Sequence, residues 1–318
     1  MTAILLVNLG SPASPSVQDV RAYLREFLSD RRVIQLSPWL WQPLLRLFVL
    51  RRRPQRTAAA YRRIWTADGS PLINISQAQR AALGRLFPHL PVALAMRYGE
   101  PSIKSQLAEL LAAGVGRILL VPMYPQFSYT TTGTVQDELA RCLKQQGAAV
   151  EVRCITDWHD RQTYIEALRL SVKRYCDAHG RPERLLLSFH GLPQSYVAKG
   201  DPYPRQCENT ARLLQAALPD LPIQLVYQSR FGREPWLQPY ADETIAELGR
   251  RGCHHLAVMC PGFSADCLET LEEMAVENRQ LFLENGGGRY GYIPALNAEA
   301  DHIALLSELI GEHLWHNQ

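Results

Sequence analysis

Residues 185–193 read Leu185-Leu186-Leu187-Ser188-Phe189-His190-Gly191-Leu192-Pro193. A nearly continuous apolar run stops at a histidine, followed by a glycine and, two residues on, a proline. A strand with one wet face alternates apolar and polar residues. A continuous run is buried on both faces, as in a parallel sheet covered by helices. Seven further short runs read as strands, most of them equally continuous: residues 4–9, 92–97, 117–123, 150–155, 223–227, 255–260 and 290–294. Between them lie amphipathic helical patterns at 102–113, with Ile103, Leu107, Leu110 and Leu111 on one face, and at 164–179 and 240–251. This alternation predicts β-α-β units and an α/β, Rossmann-like architecture.

The eight strands fall into two groups of four. The first strand of each group ends alike, in Val7-Asn8-Leu9-Gly10-Ser11-Pro12 and in Ser188-Phe189-His190-Gly191-Leu192-Pro193. Two similar half-domains are expected, residues 1–165 and 166–318. Each is a four-stranded parallel sheet flanked by helices, with a cleft between them. Open α/β sheets bind ligands beyond the carboxyl ends of their strands. Leu9, Arg97, Tyr124, His190, Gln228 and Pro261 all lie near such ends. Neither G-x-G-x-x-G nor a P-loop occurs, and Gly286-Gly287-Gly288 follows a helix, where it reads as a stop. The fold should not be read as nucleotide binding.

Composition narrows the classes. Net charge is +3 with 20% charged residues, so no nucleic-acid partner is expected. A 318-residue chain with 47% hydrophobic residues can bury a large core. Seven scattered cysteines with no C-x-x-C argue against a disulfide framework or zinc knuckle and fit a reducing, cytoplasmic location. The N-terminus runs straight into a strand pattern, so no signal peptide is expected. Residues 36–50 are greasy, with Trp39, Leu40, Trp41, Leu44, Leu45, Leu47, Phe48 and Leu50 followed by Arg51-Arg52-Arg53. They are broken by Pro38, Pro43 and Arg46 and fall short of the ~20 residues that span a bilayer. Two readings stay open: a packed surface helix, or a lip touching an apolar ligand or lipid, with peripheral membrane contact through residues 36–53.

The chemistry concentrates at His190 and in Pro261-Gly262-Phe263-Ser264-Ala265-Asp266-Cys267-Leu268-Glu269, which continues to Glu277. Glu269, Glu273 and Glu277 are spaced by four and share a helix face, with Asp266 three residues ahead. An ordinary solvated acidic face has the same spacing. Here the row borders the apolar Leu268, Leu271, Met274 and Ala275 and follows a strand end. Like charges at this spacing repel, which makes more sense if they handle cations or protons. His190 is either a hydrogen-bonded structural residue or a proton acceptor and metal ligand.

Further motifs run in order along the chain: Tyr61-Arg62-Arg63-Ile64, Gly69-Ser70-Pro71, Met96-Arg97-Tyr98, Tyr124-Pro125-Gln126-Phe127-Ser128, Gly200-Asp201-Pro202-Tyr203-Pro204, Tyr227-Gln228-Ser229-Arg230-Phe231-Gly232 and Pro235-Trp236-Leu237. With the segments above, they make the chain resemble the ferrochelatases, which insert ferrous iron into a porphyrin. The resemblance implies two chelatase-type half-domains, the first carrying the apolar lip and the second the histidine and glutamates. It implies that His190 and Glu269 are iron ligands and proton acceptors on opposite sides of the porphyrin. Asp266 tunes that pair by hydrogen bonding, and Glu273 and Glu277 form a path for protons or metal. Leu9, Tyr61, Tyr124, Tyr203 and Trp236 fall at pocket positions. Arg53, Arg56 and Arg97 are offered to propionates, and Ser70 hydrogen-bonds one. Porphyrin and ferrous iron are the expected partners of a monomer, with no cofactor beyond the substrate metal.

Three positions depart from relatives. Cys267 stands where many members have histidine, and a thiol there invites soft metals. Tyr129 stands where the internal cluster cysteine of animal enzymes falls, and no cysteine-bearing extension follows, so no [2Fe–2S] cluster is expected. The branch that uses coproporphyrin tends to have tyrosine at the position of Leu9. Leucine cannot ligate iron, which favours protoporphyrin IX and protohaem, the terminal step of haem biosynthesis. Three alternatives stay open on the residues: coproporphyrin III as substrate, another tetrapyrrole chelatase of the same fold, and a non-catalytic haem or metal carrier.

Overall fold

The computed structural model describes residues 1–232 and 234–315. In chain order the elements begin β1 (Thr2–Gly10), α1 (Val17–Ser29), α2 (Pro38–Leu44), a π-helical stretch Leu45–Val49, α3 (Leu50–Ile64), α4 (Pro71–Leu86), β2 (Val92–Tyr98), α5 (Ile103–Ala112), β3 (Arg117–Pro122), α6 (Thr132–Gln146) and β4 (Glu151–Cys154). They continue with α7 (Gln162–His179), β5 (Arg184–His190), α8 (Gln194–Ala198), α9 (Tyr203–Ala217), β6 (Ile223–Gln228), α10 (Ala241–Arg250), β7 (His255–Met259), a second π-helix Glu269–Glu277, α11 (Asn278–Glu284), β8 (Arg289–Ile293) and α12 (Ala300–His313).

All eight anticipated strands are present. They form two four-stranded parallel sheets with orders β2-β1-β3-β4 and β6-β5-β7-β8. The second order repeats the first, strand for strand, so β1 and β5 hold equivalent inner places. Both are buried along nearly their whole length, which is why neither alternates. Helices cover the sheets. Leu5, Val7, Leu107, Leu120 and Leu139 belong to one core, and Leu186, Val226, Ile245, Val258 and Phe282 to another. A further repeat went unread in the sequence: Pro125-Gln126-Phe127-Ser128 follows β3, and Pro261-Gly262-Phe263-Ser264 follows the equivalent β7.

The glycine after each inner strand is a steric requirement. A Cβ on Gly10, which has φ +108°, would lie 1.8 Å from the Tyr98 carbonyl oxygen at the end of β2. A Cβ on Gly191 would lie 2.8 Å from the Gln228 carbonyl oxygen at the end of β6, the strand equivalent to β2. In both sheets the first strand turns off against the backbone of the same neighbour, and only glycine leaves room.

By compactness the chain forms two units. One comprises Met1–Tyr124, Ser128–Thr156 and the stretch from Leu306 onward; the other comprises Pro125–Phe127 and Asp157–Leu305. The division drawn at residue 165 falls inside α7, a helix that belongs wholly to the second unit.

The greasy segment is helical from Pro38 to Ile64, with the π stretch between α2 and α3. Pro54 lies inside α3 and has no N–H to offer the Leu50 carbonyl. Arg21 Nε of α1 donates to that oxygen at 3.1 Å instead. Trp41 and Leu45 are buried, with Trp41 Nε1 donating to Leu28 O at 2.6 Å. Trp39 is 87% exposed, and Leu36, Leu40, Leu44, Leu47 and Phe48 are exposed too. Three side chains of the segment, Trp41, Leu45 and Leu50, therefore pack, and six face out. Among the described residues, no helix is long and apolar enough to cross a membrane.

One buried histidine makes part of the second unit acid-sensitive. His302, in the first turn of α12, is fully buried, donates from Nδ1 to Asn297 O at 2.6 Å and stacks on Trp158. Burial lowers its pKa to about 4 from an ordinary 6.5. Above pH 6.5 the ring is neutral in both folded and unfolded chains and costs nothing. As pH falls toward 4, only the unfolded chain takes the proton, so folding loses up to about 3 kcal/mol. Chemical denaturation at pH 7 and pH 4.5 should show a smaller acid loss for His302→Gln than for the wild type. Equal losses would remove His302 from the account.

Candidate functional site

His190 ends β5 in a half-buried position. Its Nδ1 lies 2.7 Å from the Gly191 carbonyl oxygen. A carbonyl can only accept, so Nδ1 carries the proton and Nε2 presents a lone pair. That is the tautomer a proton acceptor or metal ligand requires. The Trp236 ring packs on Gly191, where a Cβ would come within 3.1 Å of it. Backbone bonds from Leu237 N to Leu192 O (2.9 Å) and from Gln194 N to Pro235 O (3.0 Å) hold Trp236 beside the histidine.

The acidic row departs from the expected α-helix. Glu269–Glu277 is a π-helix of nine residues. Its wider turn closes i→i+5 bonds, and side chains donate to its carbonyls. Gln228 Nε2 reaches Glu269 O at 3.0 Å, Asn278 Nδ2 reaches Glu273 O at 2.8 Å, and Tyr290 Oη reaches Met274 O at 2.7 Å. Glu269 and Glu273 are half-buried and Glu277 is exposed, so the row runs from the interior outward. Glu272, off that row, is buried.

Glu273 is held by Ser229, which donates both its backbone N–H (2.8 Å) and its hydroxyl. Ser229 takes a left-handed φ of +64°, strained for a residue with a side chain. Burial pushes the Glu273 carboxyl above its usual range, and the charge of Glu269 adds to this. The Ser229 bonds and His190 pull it back down. Glu273 therefore feels both His190 and Glu269 electrostatically. Gln228, Ser229, Arg230, Asp242, Glu273 and Glu277 help line a pocket of about 330 Å³. The buried Cys267 thiol is pushed well above the usual thiol range by burial and by Glu269. It is thus a protonated neighbour of Glu269, and the thiolate that soft metals prefer is disfavoured.

Asp266 is only 5% exposed, and its carboxylate is taken up elsewhere. It accepts from Tyr292 Oη (2.6 Å), Thr270 Oγ1 (2.9 Å), Ala295 N (3.3 Å) and Asn297 Nδ2 (2.8 Å), while its own N–H donates to Asn297 Oδ1 at 2.8 Å. It fastens the start of the π-helix to the segment after β8. It makes no direct hydrogen bond to the side chain of His190 or Glu269, and it bears on that pair by holding the helix that begins at Glu269.

The other expected residues distribute by unit. In the second unit, Tyr203 is buried at the start of α9, and burial raises its phenol well above the usual range. In the first, Leu9 lies half-buried near the end of β1, and Tyr61, Ser70 and Tyr124 are buried. Arg53 is half-buried and Arg56 exposed on α3. Arg97 is already engaged: it pairs with Asp30, and its Nε donates to Thr134 O at 3.0 Å. Asp30, Ser229 and Asn297 were not anticipated. Ser229 stands in the motif Tyr227-Gln228-Ser229-Arg230-Phe231-Gly232, whereas Asp30 and Asn297 carry only a place beside a strand or helix end. Asp157, His159 and Asp160 also lie close enough to share a cation. His159 is already hydrogen-bonded there to Asp157 (Nδ1, 2.8 Å) and Asn209 (Nε2, 3.4 Å).

Comparison with known proteins gives this geometry a context. Residues 1–314 match the ferrochelatase family profile. A ferrochelatase from Yersinia enterocolitica is 49% identical over 313 residues, covering 98% of this chain and 97% of the relative. One from Shigella flexneri is 50% identical over 314 residues and covers 98% of each. One from Klebsiella pneumoniae is 51% identical over 310 residues and covers 97% of each. Among solved structures, SirB from Bacillus subtilis with Fe3+ aligns with a TM-score of 0.59 at 13% identity, covering 98% of this chain and 94% of that one. CbiX, the terminal enzyme of siroheme biosynthesis in denitrifying bacteria, aligns at 0.57 and 14%, covering 98% and 100%. At such low identity these two speak for the chelatase fold alone. Half-identity to ferrochelatases over nearly the whole chain says more: this chain belongs to the ferrochelatase family, lyases that insert a metal into a porphyrin.

Proposed function

We propose that the enzyme inserts Fe2+ into protoporphyrin IX to give protohaem, the terminal step of haem biosynthesis, with His190 and Glu269 as the acting pair. The observation that carries this reading is the Nδ1 bond of His190 to Gly191 O, which leaves Nε2 as the lone-pair nitrogen of the neutral ring, with His190 within electrostatic reach of Glu273. Metallation must remove two pyrrole protons and strip water from a divalent ion. Neutral imidazole accepts a proton and can also bind a borderline metal that must then leave. Glu269 offers a second acceptor. Glu273, whose raised pKa lets it exchange protons nearer neutrality, and the exposed Glu277 carry protons or metal between Glu269 and water. Asp266 holds the helix that presents them.

For the macrocycle we retain Leu9, Tyr61, Ser70, Tyr124, Tyr203 and Trp236 as contacts, with Arg53 and Arg56 for propionates. Arg97 is less suited to a propionate, because Asp30 already neutralises it. Leu9 offers no iron ligand, which favours protoporphyrin over coproporphyrin III. Iron enters as substrate and the proposal includes no resident cluster. The enzyme is read as a cytoplasmic monomer. Its exposed Trp39, Leu40, Leu47 and Phe48, next to Arg46, Arg51 and Arg52, give it a peripheral hold on anionic membranes.

Two measurements test this. Under anaerobic conditions with Fe2+, absorbance should show haem forming from protoporphyrin IX faster than from coproporphyrin III. His190→Ala and Glu269→Gln should each lower turnover by at least about 100-fold while porphyrin still binds. Wild-type turnover in either variant would remove that residue from the pair, and a preference for coproporphyrin III would reverse the substrate assignment. In the second, the protein should sediment with anionic vesicles at low salt and less so at high salt. A Trp39→Glu/Phe48→Glu variant that sediments equally well would rule out the lip as the contact.

A further inference from the structure

We infer that Gln228 is a positioning residue that sets Glu269 against His190. The inference rests on the reading of those two as the acting pair. Gln228 is the last residue of β6, 3% exposed, and lies in register with His190 on β5. Its backbone carbonyl accepts from Gly191 N at 2.8 Å. Its side-chain Oε1 accepts from Ser188 Oγ at 2.7 Å, and Cys260 Sγ donates to the same oxygen at 3.5 Å. Its Nε2 donates to the Glu269 carbonyl at 3.0 Å. One residue thus holds β5 on both sides of His190 and also holds the first residue of the π-helix.

The next residue extends the grip. Ser229 binds the Glu273 carboxylate through its N–H and hydroxyl. Gln228 and Ser229 therefore clasp one wide turn of the π-helix at two points, Glu269 by its main chain and Glu273 by its side chain. The Glu269 carbonyl only accepts, which fixes the orientation of the Gln228 amide. Ser188 and Cys260 must then find an acceptor on the other atom. A side chain that donates on one side and accepts on the other is required, and at neutral pH a carboxamide supplies both where a carboxylate of the same shape does not. Shifting Glu269 by a fraction of an ångström relative to the Nε2 lone pair is the kind of error that costs rate without costing binding.

Substituting Gln228 separates positioning from folding. In Gln228→Leu the haem-forming kcat should fall about 10–100-fold, with the porphyrin Kd, read by fluorescence quenching, unmoved. In Gln228→Glu the protonated carboxyl can still donate to the Glu269 carbonyl and accept from Ser188. The ionised form cannot donate, and it faces a carbonyl oxygen. The ratio of Gln228→Glu to wild-type activity should therefore fall as pH rises, whereas the Gln228→Leu ratio stays flat. If Gln228→Leu does not fold, the pH dependence of Gln228→Glu decides alone. Wild-type kcat in Gln228→Leu, or a flat Gln228→Glu ratio, would overturn the inference; if His190→Ala and Glu269→Gln remain inactive, the acting pair survives. If those two variants instead turn over normally, the pair itself is wrong and the positioning role goes with it.

Discussion

Three carbonyls of the π-helix accept a side-chain hydrogen bond, and the donors tie that helix to its neighbours in the second unit. Gln228, Asn278 and Tyr290, from β6, α11 and β8, each give one hydrogen bond to Glu269, Glu273 or Met274. Each such bond adds a net contribution of about 0.5–1.5 kcal/mol, so these donors bear on how firmly the wide turn is held. The wide turn in turn carries the glutamates, one half-buried at its start, one clasped by Ser229 and one exposed at its end. Removing a donor perturbs the helix before it perturbs any carboxylate.

Asp266 illustrates the same economy. Its place in the sequence, three residues before Glu269, suggests an electrostatic role. Its four hydrogen-bond donors make it a fastener instead, and the chemistry passes to groups that keep an unshared lone pair. Arg97 follows suit in the first unit, where Asp30 and the Thr134 carbonyl engage its guanidinium. In both cases a charged residue near a strand end is spent on holding the scaffold. Under the proposed function, the half-buried His190 and Glu269 are left for the reaction.

The strands and their grouping were legible because parallel, doubly covered strands must be apolar on both faces, and residues 185–190 or 4–9 can hardly be anything else. That His190 comes within electrostatic reach of Glu273 was legible because β5 ends at the histidine and the glutamate row follows the end of β7. The π-helix was not, since a spacing of four suits either helix type. The donors that satisfy it come from Gln228 and Tyr290, distant in sequence. The role of Asp266 was hidden for the same reason: its partners Tyr292, Ala295 and Asn297 arrive from β8 and the segment after it. A helical pattern with no glycine or proline inside it, such as α7, shows no seam by which a division between units could be located to the residue.

The repeated scaffold places leucine and histidine at matching positions. Leu9-Gly10 and His190-Gly191 close equivalent inner strands, and each glycine is jammed against the carbonyl at the end of the equivalent neighbour. Backbone geometry is thus duplicated while side-chain chemistry is not. Under the proposed function, the histidine copy handles protons and metal, and the leucine copy meets only the substrate. Selectivity and reactivity then reside on separate copies of one design. Residue 9 can vary with the tetrapyrrole an organism makes, because no proton transfer depends on it.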